Sequence, residues 1–148
     1  MIQSNERKKA RGITKWMLRH YREICRAVMD TRATMVATKV GGNGSGIAVM
    51  SDPTAQAAIK NLTPLQCVIL DAGDKVLHPE LWIASISAGY DNCDDDERRM
   101  IESVYAGNAV ADVAERNSVD QSVIYRLLGE MVNVVMSIAA YHRLVKPF

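Results

Sequence analysis

Hydrophobic positions recur at helical spacing along most of this chain. Between residues 6 and 36, at about 100° per residue, Ile13, Met17, Tyr21, Ile24 and Val28 form one apolar stripe. Lys8, Arg11, Lys15, Arg19, Arg22 and Arg26 fall on the opposite side, three or four residues apart. The pattern stops at Gly41-Gly-Asn-Gly-Ser-Gly46, which reads as a flexible hinge. It resumes at Asp52-Pro53, an acidic N-cap followed by a first-turn proline. Ala55, Ala58, Leu62, Leu65, Ile69, Ala72 and Val76 then keep a 3–4 repeat through Pro64, which predicts one kinked helix or two abutting ones. Such a stripe suggests packing against another helix, either the N-terminal one or one of a partner subunit. Leu81, Trp82 and Ile86 mark a short helix over 79–88 that ends near Gly89.

The last third has the sharpest punctuation. Ala109 to Asn117 reads as a helix in which Val110, Val113 and Ala114 share a face. Asn117, Ser118 and Asp120 form a turn around the single apolar Val119, and Asp120 can cap a second helix whose apolar face begins at Ile124, Leu127 and Leu128. This predicts a helix-turn-helix over about 109–140. The final helix carries two stripes. Ile124, Leu127, Met131, Val134, Ile138 and Tyr141 make one, and Leu128, Val132, Val135 and Ala139 the other. A helix apolar on two faces is buried on both, by its own core or by a second chain, so a dimer is one expectation and a fully internal helix the other.

The expected fold is therefore all-α: a basic N-terminal helical arm (1–40), a Gly-rich linker (41–51) and a helical domain (52–148). Composition agrees, since the eight Met, the many Ala and the scarcity of strand-like alternation favour helices, and the 48% of residues that are hydrophobic suffice for a core. Cys25, Cys67 and Cys93 are odd in number and have no CxxC pair, which argues for a reducing compartment and against a disulfide framework or zinc site. The N-terminus is charged, so no signal peptide is expected. The apolar run from Met131 to Tyr141 is too short for a membrane span. A cytoplasmic protein is expected.

The net charge of +1 hides an asymmetry. Residues 1–40 hold ten Lys/Arg against three Asp/Glu, and the remaining residues eight against fourteen. The row of cations can follow a phosphate backbone or an anionic membrane surface, and it is also what a solvated helix face looks like. Other chemistry finds no support. Gly41 and Gly46 have phosphate-loop spacing, but Ile47 and Ala48 replace the required Lys and Ser/Thr. Asp91, Cys93, Asp95 and Glu102 fit calcium-loop spacing, but Asp96 replaces the glycine and Cys93 is a poor ligand, so these acids read as helix caps. His20, His78 and His142 have no metal-ligand spacing, and no catalytic triad motif stands out. Neither a cofactor nor an enzyme activity is expected.

The run from Asp95 to Met131, with Ser122-x-x-Tyr125-Arg126 on its last helix, resembles region 4 of sigma-70-type factors. The wider layout, with a basic first helix and a Gly-rich connection into Ser51-Asp52-Pro53-Thr54, resembles small phage-encoded transcriptional regulators of the RinA/ArpU type. Two departures are Asn117, where an apolar residue is preferred, and Ser118, where glycine is usual. The resemblance implies a regulator that binds double-stranded DNA. Gln121, Ser122, Tyr125 and Arg126 would contact bases and backbone, and Lys15, Arg19, Arg22 and Arg26 would hold phosphates. One observation opposes this: residues 91–148 carry six Lys/Arg against ten Asp/Glu, whereas DNA affinity comes mostly from phosphate neutralisation. The same helices can instead dock on host RNA polymerase. An oligomeric packaging protein of small-terminase type is a further alternative.

Overall fold

The computed structural model describes residues 4–41 and 64–148, the last six of the first stretch by backbone alone. The expected linker over 41–51 and the helix start at Asp52-Pro53 lie outside the described residues, Gly41 apart. In chain order the elements are α1 (Asn5–Arg19), α2 (Tyr21–Gly41), β1 (Cys67–Ile69), β2 (Lys75–Leu77), α3 (Pro79–Asp91), α4 (Asp95–Tyr105), α5 (Val110–Arg116) and α6 (Gln121–Tyr141). The protein is mainly helical.

The expected continuous helix over 6–36 is two helices. His20 leaves the helical region at φ −104°, ψ 12°. Its ring stacks on Trp16 at 4.0 Å, and its Nδ1 donates to the Trp16 carbonyl at 2.8 Å. A compact unit built from Met1–Tyr21 and Leu81–Phe148 is separated here from a second unit, Arg22–Glu80. The compact units thus divide elsewhere than at an arm, a linker and a domain.

In the first unit α6 is the centre. Ile124, Leu127, Met131, Val132, Val135, Met136 and Ala139 are buried, while Leu128, Val134 and Ile138 are half-buried and Tyr141 is 83% exposed, so the first apolar stripe is left partly open toward its C-terminal end. By length and composition α6 is the one described helix that could cross a membrane, because the apolar run after Met131 belongs to a longer helix. Seven of its 21 residues are buried.

Against α6 lies α1, through Ala10, Thr14 and Leu18 rather than through the expected stripe. Ile13 is 42% exposed. Small Ala10 and Thr14 permit close approach, and Thr14 Oγ1 donates to the Ala10 carbonyl at 2.7 Å, which satisfies the one buried hydroxyl on that face. Packing decided the phase there, not side-chain hydrophobicity.

The buried residues Trp82, Ile86 and Tyr90 lie on α3. This helix runs past Gly89 to Asp91. Gly89 is therefore no stop signal. A Cβ placed on it would lie 2.6 Å from Val135 Cγ2 and 3.0 Å from Met131 Cε, so glycine is what lets α3 and α6 meet. The acids before α4 act as caps, as expected. Asp94 accepts from the Glu97 N–H at 2.8 Å, and Glu97 Oε1 accepts from the Asp94 N–H at 3.0 Å, closing a capping box.

The second unit corrects the all-helical expectation. Where a helix was expected to carry Ile69, Ala72 and Val76, the chain forms an antiparallel hairpin with Val68 paired to Val76. Asp71, Ala72 and Gly73 make its loop, with Gly73 at φ +96° and Leu70 bonded both ways to the turn. Only glycine takes that angle without strain. Val68, Leu70 and Val76 are buried, while Ile69 and Leu77 are exposed. In the same unit Arg32, only 8% exposed, donates to Glu80 Oε1 at 2.6 Å, and Glu80 also accepts from the Leu65 N–H at 2.8 Å.

Candidate nucleic-acid interface

Three successive helix ends set the geometry of the last third. After α4, Gly107 takes φ +106°, its N–H bonds the Val104 carbonyl and the Asn108 N–H bonds the Ser103 carbonyl. The end of α5 repeats this arrangement with a side chain in the glycine position. Ser118 takes φ +55°, its N–H bonds Glu115 at 3.1 Å, and the Val119 N–H bonds Ala114 at 3.0 Å. These two bonds make a Schellman motif, which brings half-buried Val119 back toward Ala114. The departure from glycine at 118 is thus accommodated at the expense of strain. Ser118→Gly is expected to stabilise the fold by about 0.5–1 kcal/mol in urea denaturation, since it relieves the left-handed conformation at the expense of a freer unfolded chain. Asn117, the second departure, is exposed and spends its side-chain N–H on the Val113 carbonyl at 2.7 Å.

Asp120 is the N-cap of α6, as expected, accepting from the Ser122 N–H at 3.0 Å. Its carboxylate also accepts a hydrogen bond from the Ser122 hydroxyl. The Ser122 hydroxyl, then its N–H, hold the Asp120 carboxyl below the usual Asp value. With the folded pKa below the unfolded one, the cap contributes above the ordinary value of about 3.9 and is lost as pH falls through the lower folded value. The Ser122 amide chemical shift is expected to titrate with a midpoint below that ordinary value, and to stay flat over the same range in Asp120→Ala.

Inside the turn, Val113, Ala114, Ile124 and Leu127 are buried, as the spacing predicted. Gln121, Ser122, Tyr125 and Arg126 are all exposed on the first two turns of α6, Tyr125 by 60%. They are neighbours on one helix end, but they are not chemically equivalent. The Ser122 hydroxyl already serves the cap. Arg126 Nε lies 4.0 Å from Glu130, a pair in which both side chains are more than 60% exposed and which therefore holds the guanidinium weakly.

The expected row of cations is divided by the break at His20. Lys8, Lys15 and Arg19 are exposed on α1 in the first unit, while Arg22 and Arg26 are exposed on α2 in the second. Arg26 lies 4.0 Å from Asp30. Arg11 is half-buried and donates to Asn133 Oδ1 of α6 at 3.0 Å. Spacing could not find that bond, because the partners are 122 residues apart. Assigning α1 to the first unit also changes the charge argument. With residues 1–21 included, that unit holds twelve Lys/Arg and eleven Asp/Glu, so the acidic last third is nearly neutralised by the helix packed on it.

Among the described residues no group of three or more His, Cys, Asp or Glu could hold a metal ion. No protein-family model, curated protein or solved structure matches the chain.

Proposed function

We propose that this chain is a DNA-binding transcriptional regulator of the kind phages encode, in which α5 and α6 act as a helix-turn-helix. The observation that carries the reading is the capped turn at Ser118–Asp120. It fixes α6 with Ile124 and Leu127 inward and leaves Gln121, Tyr125 and Arg126 outward on its first two turns. A helix start presented in this way fits the major groove. Gln121 suits the paired donor and acceptor of adenine, and Arg126 suits guanine or a phosphate. Ser122, bound into the cap, contributes through the helix start rather than through a free hydroxyl.

The test is a comparison of binding to DNA upstream of the neighbouring genes with binding to a random-sequence duplex. Arg126→Ala is expected to cost about 1–3 kcal/mol on the preferred sequence and far less on the random one. Loss of affinity equal on both would make Arg126 a phosphate contact. If the wild type binds no duplex at low salt, the reading is wrong. The exposed α6 start, with Asp112 and Glu115 exposed on α5, then suits docking on a protein such as RNA polymerase.

A further inference from the structure

The bond between Arg11 and Asn133 joins two lines of residues that the sequence holds far apart. At about 100° per residue, Ser122, Arg126 and Asn133 lie within about 40° of one another along α6. On α1, Lys8, Arg11, Lys15 and Arg19 lie within about 80° by the same spacing. Arg11 stands at the edge of the α1 face that is buried through Ala10, Thr14 and Leu18. The flank of α1 that reaches Asn133 is therefore the flank that carries the other three cations.

Two further contacts hold the ends of α1 within the first unit. The Arg7 guanidinium lies 5.6 Å from the ring centre of Phe148, beyond the end of α6, and Tyr21 packs 6.0 Å from Tyr90 on α3. Gly89, next to Tyr90, meets α6 at Met131 and Val135. Lys15 and Arg19 stand about 6 and 12 Å further along α1 than Arg11, at about 1.5 Å per residue.

Resting on the DNA-binding reading above, we propose that these two lines are one surface on which a single duplex lies. Lys8, Lys15 and Arg19 bind phosphates along one edge of the groove that the start of α6 enters. Arg11 is not a phosphate contact. It is a positioning residue that pins the cationic flank beside the reading helix through Asn133. Glu130 is the acid on this part of α6, and its neighbour Arg126 partly offsets it. The cations of α1 thus supply the positive charge that α5 and α6 lack.

The full chain would be titrated onto a fluorescent random-sequence duplex over a range of salt. The comparison is between wild type, K8A/K15A/R19A, and R99A/R143A/K146A, which removes three exposed cations elsewhere in the same unit. Each lost phosphate contact lowers the slope of log K against log salt by about 0.9. The α1 triple variant is expected to lose about 2–3 units of slope and on the order of 100-fold in affinity at 0.1 M salt. The control variant, with the same loss of charge, is expected to lose less than about one unit. If wild type binds and both variants lose slope equally, or neither does, the single-surface proposal is overturned while the regulator reading stands. If wild type binds no duplex, both fall. Should the triple variant lose its helical circular dichroism, K15Q/R19Q, with an expected loss of about 1–2 units, decides in its place.

Discussion

Gly89→Val is expected to destabilise the first unit by about 3 kcal/mol in urea denaturation, and Gly89→Ala by about 1–2 kcal/mol. Alanine is favoured over glycine in a helix interior by about 1 kcal/mol, so a helix free of neighbours would gain from the change. Here the added Cβ falls 2.6 Å from Val135 Cγ2, and Val135 is fully buried. A buried branched side chain has few other rotamers, so backbone or neighbour must move, and overpacking outweighs propensity. The same geometry predicts coupling. Val135→Ala removes the methyl that clashes, so Gly89→Ala/Val135→Ala is expected to be at least about 1 kcal/mol more stable than the two single changes add up to. Strict additivity would show that the contact is not what holds glycine at 89.

Glu80→Ala is expected to cost about 3 kcal/mol. The Arg32 side chain is 10% exposed, and Glu80 is the acid that pairs with it. Removing the carboxylate leaves a buried cation uncompensated and frees the Leu65 N–H as well. The pair is asymmetric, because the Glu80 side chain is 34% exposed. Arg32→Met is therefore expected to cost under about 1.5 kcal/mol: it takes away the buried charge together with Nη1, which has no hydrogen-bond partner, and leaves Glu80 with water and Leu65. Equal losses in the two variants would mean that the bond itself, and not the stranded charge, sets the cost.

What was legible in the sequence was local. The cap at Asp120, the turn around Val119 and the inward face of Val113, Ala114, Ile124 and Leu127 each follow from residues within a few positions of one another. The capping box at Asp94 and Glu97 is equally local. The errors arose where a periodic pattern had two readings. Leu65, Ile69, Ala72 and Val76 keep helical spacing, yet Asp71-Ala-Gly-Asp74 between β-branched runs is a hairpin turn, and Gly73 at positive φ breaks any helix there. In α1 the small residues Ala10 and Thr14 face the core and Ile13 faces out, an inversion that hydrophobicity cannot signal because it depends on how closely α6 approaches. Gly89 shows the same limit, since a glycine for close packing and a glycine for stopping a helix look alike in sequence. Of the candidate site, the outward position of the four residues at the start of α6 was legible from the helical pattern. The Arg11–Asn133 bond was not, and with it the placement of the basic helix.

That placement sets an order of events during synthesis. The ribosome makes α1 first and α6 about a hundred residues later, with the whole of the second unit in between. Until α6 emerges, the face of Ala10, Thr14 and Leu18 has no seat and the cations beside it have nothing to orient them. Closing such a loop adds only a few kcal/mol of entropy cost, which grows slowly with length, but it cannot begin before both ends exist. A nascent chain arrested before Gln121 would therefore carry its basic helix unanchored. The surface proposed to meet DNA comes into being only when α6 is complete.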